Sequence, residues 1–517
     1  MLASQSAQVG MFDAAVLSRP LPAGSFFALL VEHGDRIVRD QDFADCYSAG
    51  MGRPSIPPSL LAKVLLCQHR TGVSDEQAME CVAWDLRWKV ALGLAVDHQG
   101  WHPTTLTKFR ARLLLHHKEG LALEATLRLA EELGMLDGTA EQIIDSTPML
   151  GAAATQDTVR LVRHGVKKLI DAVLGVDERA AGALDDGLEF DYERPGEKPD
   201  CRWREKTERE RMLTRVAEDA QRALIAVEQG DGLLDDEAVA AAHRLLRDLV
   251  GQDFEIDPDG VPRLYRGTRS QRIISMVDPE MRHGRKSSQT RFDGYKLSAS
   301  ATNSSEPLIT AVHIAPAGAS DGPQAKHLID SQPSGRRPSR VLGDTAYGSG
   351  PVRSELSDRG VDVLAPVPAG TTIPGALGKQ DFTIDMTAAT ITCPAGQTAQ
   401  ISVSAKGYRG ASFSTAVCGA CPLKPRCCQT KGRRQIRITE HEHLLQAGRA
   451  ALRDPGDSEH LRRTRPRIER LLGLLAHRYG ARKSRYIGSA KARLQALWAA
   501  ALVNLNPISH HLAAQPA

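Results

Sequence analysis

The sequence lacks the long apolar stretches that insertion into a membrane requires. No run of eighteen apolar residues occurs in its 517 residues, and the first thirty contain no basic segment followed by an apolar core. A bilayer-spanning helix needs about 20 apolar residues, and a secretory signal needs that order of segments. We therefore expect a cytoplasmic protein. Internal repeats and low-complexity tracts are also absent, so a solenoid architecture is not indicated.

Cysteine is scarce and odd in number, with nine residues in the chain. A disulfide framework is therefore not expected in a long chain of intracellular type. Four of the cysteines have the spacing Cys-x24-Cys-x2-Cys-x5-Cys, which suits one tetrahedral zinc ion. They are Cys393, Cys418, Cys421 and Cys427, with Cys428 as an alternative fourth ligand. Reduced thiols in a small β-rich insertion are the alternative interpretation.

The chain also lacks a strong overall charge, since its formal net charge is only +4. Between positions 461 and 493, however, eleven Lys and Arg residues surround a single carboxylate, Glu469. Such a local excess of positive charge indicates a surface that binds nucleic-acid phosphates. Glu469 has two interpretations: an ion pair with Arg465 one helical turn earlier, or a ligand of a divalent cation that polarises a phosphodiester.

The length of the chain exceeds what one hydrophobic core usually supports, so several domains are expected. Hydrophobic periodicity and composition divide it into five parts. They are a helical N-terminal domain (1–135), the first parts of an α/β core (136–150 and 266–375), a helical insertion (151–265), a β-rich insertion with clustered cysteines (376–440), and a C-terminal helical part (441–517).

Two aspartates follow short β-branched segments in the α/β core. Asp145 follows Ile143 and Ile144, and Asp344 follows the segment 339–343. Carboxylates at the ends of neighbouring strands can converge with Glu469 on divalent cations, which prefer oxygen ligands. The alternative is that each aspartate caps a turn or a helix. The basic segment 282–286 is predicted as a turn that binds phosphate or as a solvated loop.

Several motifs resemble those of the DDE transposases of bacterial insertion sequences, in the group with an extra helical domain before the catalytic core. The resemblance extends from about residue 53 to residue 505. The matching segments are IDSTP at 144–148, DPEMRHGRK at 278–286, FDGYK at 292–296, GDTAYG at 343–348, RPRIE at 465–469, YGARKSRYIG at 479–488 and NL at 504–505.

The resemblance implies an RNase H-like catalytic core, with a mixed five-stranded sheet flanked by helices, that cleaves and transfers DNA strands at transposon ends. Asp145, Asp344 and Glu469 would be the catalytic ligands of Mg²⁺ or Mn²⁺. The partners would be the double-stranded DNA of the transposon ends and target, bound by a homodimer associated with the nucleoid. The residues predicted to contact DNA are Arg282, Arg285, Lys286, Lys296, Arg462, Arg465, Arg478, Lys483 and Arg485.

The chain departs from the family pattern at two positions beside Glu469. Many relatives have Tyr seven residues before the glutamate and Lys seven residues after it, where this chain has Arg462 and Ala476. Arg478 or Lys483 would then replace the missing contact. Two rival functions remain open: a nuclease of the same fold that cuts without joining, and a regulatory or inactive DNA-binding protein derived from a transposase.

Overall fold

The computed structural model describes most of the chain. The described residues are 1–5, 10–48, 53–136, 141–267, 269, 271–287, 289–369, 375–404, 407–428 and 432–514, with only the backbone of Ser334. Every residue predicted above to bind metal or DNA lies within these ranges. Within them, no helix is long and apolar enough to cross a lipid bilayer.

Seven helices form the N-terminal region. Local sequence fixes their ends: Ser74 and Gln77 form a reciprocal capping box at the start of the fourth helix, and Gly72 ends the third in the left-handed conformation, as glycine commonly does. The helices are α1 (Ala14–Leu17), α2 (Phe26–Ile37), α3 (Pro58–Thr71), α4 (Asp75–Trp84), α5 (Leu86–Leu92), α6 (Thr104–Leu115) and α7 (Leu121–Glu132).

A helical insertion follows the first strand, β1 (Glu141–Leu150). Its own buried core, which includes Val166, Val216 and Leu246, joins its elements into one unit. Because this core buries the apolar sides of the helices, the many charged residues of the insertion lie on its surface. Its elements are α8 (Thr158–Leu174), α9 (Glu178–Asp186), α10 (Lys206–Gln229), α11 (Glu237–Asp253), β2 (Phe254–Ile256) and β3 (Pro262–Leu264).

A mixed sheet of six strands forms the centre of the molecule. Strand β1 pairs antiparallel with β5 on one edge and parallel with β7 on the other, and β7 pairs parallel with β8. β4 and β6 both pair antiparallel with β5. The further elements are β4 (Arg282–Arg285), β5 (Arg291–Thr302), β6 (Ile309–Pro316), α12 (Ala325–Asp330), β7 (Arg340–Leu342), α13 (Gly350–Ser357) and β8 (Asp362–Leu364).

The predicted mixed α/β sheet with flanking helices is confirmed, with one strand more than the five expected. The additional strand is β4, which the sequence suggested to be a turn or loop. It pairs with the start of β5. Gly284 lets β4 lie close to Ala317, the residue that follows β6, because a Cβ at position 284 would lie 2.7 Å from the Ala317 carbonyl oxygen.

Strand β1 is longer than predicted, since it continues past Asp145 to Leu150. Pro148 is tolerated because β1 pairs with β7 only as far as Ile143, which leaves that edge of β1 open. Farther along, Leu150 forms a parallel bridge with Lys483. A basic loop, residues 479–488, therefore borders the same edge of β1 as β7.

Two hydrophobic cores cover the two faces of the sheet. Ile143 and Leu342 belong to the larger core, which also contains residues of the N-terminal and C-terminal helices. Ile144 and Val341 belong to a smaller core formed with the helices that precede and follow β7. Side chains alternate between the two faces of a sheet along a strand. Residues two positions from Ile143 or Leu342 therefore face the larger core, and residues two positions from Ile144 or Val341 face the smaller core.

The cysteine-containing insertion forms two small three-stranded sheets, followed by C-terminal helices. The expected continuous helical segment from residue 468 to 505 is interrupted by the basic loop, whose Gly480 and Gly488 have positive φ. The elements are β9 (Thr383–Asp385), β10 (Thr390–Thr392), β11 (Thr398–Gln400), β12 (Ser402–Val403), β13 (Arg409–Ser412), α14 (Thr415–Gly419), α15 (Lys424–Cys427), β14 (Gln435–Arg437), α16 (Glu442–Arg453), α17 (Pro455–Gly473), a π-helical turn (Leu474–Arg478) and α18 (Ser489–Ala514).

Candidate active site

Asp145 and Asp344 occupy equivalent positions on two adjacent parallel strands. The last paired residues of β1 and β7 are Ile143 and Leu342. Asp145 lies two residues after Ile143, and Asp344 lies two residues after Leu342. Parallel neighbours lie about 4.8 Å apart, and residues two apart share a face. The two aspartates therefore lie side by side on the face that the larger core covers.

Glu469 lies on α17, which packs on that same face. Its neighbours Ile468 and Leu472 are buried in the larger core, together with Ile143 and Leu342. The Glu469 side chain is 58% exposed, and Arg465 Nη2 lies 3.8 Å from its Oε1. The ion pair expected from the four-residue spacing is present, at a distance that leaves the carboxylate accessible to other ligands.

The titration of Asp145 shows that these charges influence one another. Burial raises the pKa of Asp145 to about 6. The negative charges of Asp344 and Glu469 act in the same direction, whereas the Ser146 N–H, at 2.7 Å, and the positive charge of Arg465 lower this pKa. Asp344, Glu469 and Arg465 are thus all within electrostatic reach of Asp145.

Asp344 also has the capping role that was the alternative to a catalytic one. Its Oδ1 accepts a hydrogen bond from the Ala346 N–H at 2.8 Å and caps a 3₁₀ turn, Thr345–Gly348. The turn fixes the backbone just after β7, so the cap holds the carboxylate beside Asp145. The two roles are compatible, because the cap uses one of the two carboxylate oxygens.

The chemistry of the three acids suits a divalent cation, while their arrangement is open. Carboxylate oxygens are the hard ligands that Mg²⁺ and Mn²⁺ prefer. Among the described residues, no group of three or more His, Cys, Asp or Glu side chains is close enough together to hold a metal ion. In the predicted site, Asp145 and Asp344 would form the fixed part, and the exposed Glu469 carboxylate would have to move toward them.

The pKa of Asp145 predicts how the stability of the metal-free protein depends on pH. Because the folded-state pKa is raised from 3.8 to about 6, the charged carboxylate destabilises the fold above pH 6, and this cost disappears as the pH falls toward 4. We expect Asp145→Asn to raise the free energy of unfolding at pH 8 by up to about 3 kcal/mol. Calorimetry in a chelator from pH 4 to pH 8 measures the difference.

The control for this prediction is Asp330→Asn. Arg359 lowers the pKa of Asp330, so removing that charge should not stabilise the protein at pH 8. Equal melting temperatures for wild type and Asp145→Asn at every pH would contradict the prediction.

Eight of the nine residues predicted to bind DNA fall into two groups, and the ninth, Arg465, is the half-buried partner of Glu469. Five carry exposed positive charges: Arg285, Lys286, Arg462, Arg478 and Lys483. In the free protein, Arg462 pairs with Glu459 at 2.7 Å. Arg462 lies on α17, Arg478 ends the π-helical turn and Lys483 lies on the basic loop, whereas Arg285 and Lys286 lie at the end of β4, which β5 separates from β1.

Three other predicted DNA-binding residues point into the protein. Arg282 donates to the carbonyl oxygens of Pro279 and Met281. Lys296 is 13% exposed and pairs with Asp321. Arg485 donates to the carbonyl oxygen of Val73, which ties the basic loop to the N-terminal helices. These three side chains hold segments together in the free protein, and their contact with DNA stays a prediction.

Two further polar residues lie near the site and were not predicted from the sequence. Asp321, in a segment that resembles an ordinary turn, accepts a hydrogen bond from Ser146. Tyr347 is fully buried, and its hydroxyl has no hydrogen-bond partner within the described part of the chain. Only long-range packing brings these residues to Asp145, and spacing along the sequence does not reveal it.

None of the nine cysteines, all of which lie in the described ranges, forms a disulfide. Cys393, Cys418 and Cys427 pack against the small core of the β-rich insertion. Burial raises the pKa of the Cys427 thiol, and nearby Cys418, Cys428 and Cys393 add to this effect, while Arg434 opposes it. Cys421 is absent from both groups. Cys428, the alternative fourth ligand, is also absent from that core, and its thiol donates to the Gly432 carbonyl oxygen at 3.2 Å, so the identity of the fourth ligand stays a prediction.

A mixed α/β sheet that places acids beside a strongly basic helix and loop is the arrangement of a nuclease-type or transposase-type enzyme that acts on DNA. Comparison with protein families makes this specific. A family model described as "Transposase DDE domain" matches residues 392–509, and one described as "Transposase domain (DUF772)" matches residues 16–112. No curated protein and no solved structure matches the chain.

The two matches, each over less than a quarter of the chain, support the insertion-sequence DDE transposase that the motifs predicted. The DDE-domain match contains Glu469 and the basic loop, and the second match covers most of the N-terminal helices. Neither matched range includes Asp145 or Asp344. The roles of those two aspartates therefore depend on the geometry described above.

Proposed function

We propose that the protein binds the inverted-repeat ends of a transposon, hydrolyses phosphodiester bonds there, and joins the freed 3′-hydroxyl to target DNA. The observation that carries this proposal is the equivalent placement of Asp145 and Asp344 on adjacent strands, with Glu469 on the helix that covers their face. We also assign the central sheet to an RNase H-like core on these grounds. The family matches support the transposase class and leave the reaction steps to be tested.

Asp145, Asp344 and Glu469 are the residues that would hold Mg²⁺ or Mn²⁺. A pair of such cations activates the attacking oxygen and stabilises the leaving oxygen of an in-line displacement. The protein supplies the fixed aspartate pair, and Arg465 balances the charge of Glu469 until the third acid joins them. Arg465 is then free to pair with a DNA phosphate, for which a guanidinium is well suited.

The exposed cations of β4, α17 and the basic loop would bind the DNA backbone next to these acids. Phosphate contacts of this kind fix the position of a duplex without reading its sequence. Since the two ends of a transposon must be processed together, we propose that a homodimer assembles on the DNA, and that the protein associates with the nucleoid.

A strand-transfer assay tests the central step. Oligonucleotide duplexes that carry a pre-cleaved transposon end with a free 3′-hydroxyl are mixed with the protein, a supercoiled plasmid and Mg²⁺ or Mn²⁺. We expect joined products on a gel, because the site would use the 3′-hydroxyl as its nucleophile. Cleavage of intact ends without any joining of pre-cleaved ends would instead identify a nuclease of the same fold.

The second candidate function is a regulatory or inactive DNA-binding protein. It is favoured by the Arg465–Glu469 pair and by the open arrangement of the acids in the described residues. This candidate predicts specific binding of transposon ends with no cleavage in either cation. Cleavage by the wild-type protein that depends on the three acids would exclude it.

We further propose that Cys393, Cys418 and Cys427, with Cys428 or Cys421, bind one structural zinc ion. The insertion has only a small hydrophobic core, and a metal can supply the missing stability. Elemental analysis of the purified protein should give about one equivalent of zinc, lost in Cys418→Ser and Cys427→Ser and retained in the control Cys201→Ser. Less than about a tenth of an equivalent in the wild type would exclude the site.

A further inference from the structure

Asp321 connects three segments beside the candidate active site. It follows β6 and precedes the short 3₁₀ turn Gly322–Gln324. Its Oδ1 accepts a hydrogen bond from Ser146 Oγ at 2.6 Å and lies 3.0 Å from the ammonium of Lys296. Lys296 Nζ also donates to the Ala319 carbonyl oxygen at 2.6 Å. The carboxylate is thus fixed from two strands, β1 and β5.

Ser146 bonds in two directions. Its backbone N–H donates to Asp145 Oδ1 at 2.7 Å, and its hydroxyl donates to Asp321. Because neighbouring residues of a strand point to opposite faces, Asp321 lies behind β1, on the face of the smaller core. The orientation of the Asp145 carboxylate therefore depends on a hydrogen bond from a residue that Asp321 anchors.

Close packing holds Asp321 next to the turn that follows β7. A Cβ on Gly322 would lie only 2.5 Å from the carbonyl oxygen of Ala346, so this position requires glycine. Ala346 is the residue whose N–H binds Asp344 Oδ1. The loop that carries Asp321 and the turn that fixes Asp344 consequently form one packed unit.

Tyr347 supplies a second and independent observation. Its side chain is fully buried, and the hydroxyl has no hydrogen-bond partner among the described residues. Burial raises the pKa of this hydroxyl above its ordinary value, and the charges of Asp321, Asp145 and Asp344 follow as further causes. A buried hydroxyl without an acceptor is costly, and this one lies in the smaller core, the same side of the sheet as Asp321.

We propose that Asp321 is a fourth acid beside the site and a positioning residue, which anchors Ser146 and through it orients Asp145 for cation binding. This inference rests on the proposed function, since it assumes that Asp145 and Asp344 bind the cation. Lys296 neutralises Asp321, so a fourth carboxylate adds little net repulsion to the site. Residues that orient metal ligands in this way commonly change metal affinity by about 10- to 100-fold when they are replaced.

The experiment titrates the full-length, metal-free protein with Mn²⁺ in the absence of DNA and measures free Mn²⁺ by electron paramagnetic resonance. Ser146→Ala removes the link to Asp321 and leaves the Lys296–Asp321 pair intact. Asp321→Asn removes the charge and keeps an oxygen that can accept from Ser146. We expect Ser146→Ala to weaken Mn²⁺ binding about tenfold and Asp321→Asn to weaken it less, because the asparagine oxygen still accepts from Ser146. Ser146→Thr should stay close to wild type because it retains the hydroxyl.

Two controls separate this inference from the proposed function. Asp330→Asn removes an exposed acid of the same helical segment, which pairs with Arg359, and should bind Mn²⁺ as wild type does. Asp344→Ala should lose binding if the proposed cation site is correct. Loss in Asp344→Ala with wild-type affinity in both Ser146→Ala and Asp321→Asn would overturn the positioning role alone.

Wild-type affinity in Asp344→Ala would overturn the cation site and this inference together. A purely structural role of Asp321 would appear as lower melting temperatures with unchanged Mn²⁺ affinity. If Asp321→Asn does not fold because Lys296 loses its partner, the Ser146→Ala and Ser146→Thr pair decides the result.

Discussion

Replacing Asp344 with alanine is expected to lower the rate of Mg²⁺- or Mn²⁺-dependent cleavage of transposon-end DNA by at least about 10³-fold. A catalytic cation contributes several kcal/mol to the stability of the transition state, and each 1.36 kcal/mol corresponds to about tenfold in rate. Asp344 and Asp145 are the two acids that the sheet fixes side by side. The loss of either should therefore remove most of the metal-dependent rate.

The capping role of Asp344 requires a second variant. Asp344→Ala also removes the acceptor of the Ala346 N–H, which costs about 1 kcal/mol of stability by itself. Asp344→Asn keeps an oxygen for the cap and removes the charge that binds a cation. Both variants should lose cleavage, whereas Asp344→Asn should keep a melting temperature close to that of the wild type.

The matched control is Asp362→Ala. Asp362 lies at the start of β8, and its side chain is 71% exposed with one ion pair to Arg340. The substitution removes an acid from the parallel part of the sheet, at the start of the strands and so opposite the end where Asp344 lies. Cleavage should then continue at about the wild-type rate. Equal activity of the wild type, Asp344→Ala and Asp344→Asn on a denaturing gel would remove the proposed acids from the mechanism.

Local sequence predicted the strand that precedes each aspartate, although β1 continues past Asp145 instead of ending there. Each aspartate follows two buried apolar residues, Ile143 and Ile144 or, one residue earlier, Val341 and Leu342. Parallel neighbours place their carboxyl ends at one edge, so the two carboxylates had to be close once β1 and β7 paired. The mixed α/β class followed from the same pattern of strands and helices.

Long-range pairing accounts for what the sequence could not predict. The extension of β1 to Leu150 depends on antiparallel pairing with β5, more than 100 residues later. The inward direction of Lys296 depends on Asp321, a residue that local sequence would assign to a turn. In both cases the partner is chosen by tertiary packing, and neither hydrophobic periodicity nor charge along the chain contains that information.

Counting basic residues along the sequence overestimates how many of them are available to bind DNA. Arg282, Lys296 and Arg485 belong to basic motifs, yet each uses its cation to hold the fold together. A buried or bridging arginine is available to DNA only if its present partner is released. The exposed group of five is consequently the better basis for a quantitative expectation.

Affinity for transposon-end DNA is expected to fall by about 10²- to 10³-fold between 50 and 200 mM salt. Each phosphate neutralised by a cation contributes about −0.9 to the slope of log affinity against log salt concentration. The exposed predicted contacts are Arg285, Lys286, Arg462, Arg478 and Lys483. Fluorescence anisotropy with a labelled end duplex, in a chelator that prevents cleavage, measures this slope directly.

The double variant Arg478→Ala with Lys483→Ala should reduce the magnitude of that slope by about two, because two phosphate contacts are lost. The matched control is Arg244→Ala with Arg247→Ala, which removes two exposed cations from α11 of the helical insertion. That insertion carries more acidic than basic residues, so it should repel the DNA backbone, and the control should keep the wild-type slope. A slope near zero in the wild type, or an equal reduction in both double variants, would show that the basic helix and loop are not the surface that binds DNA.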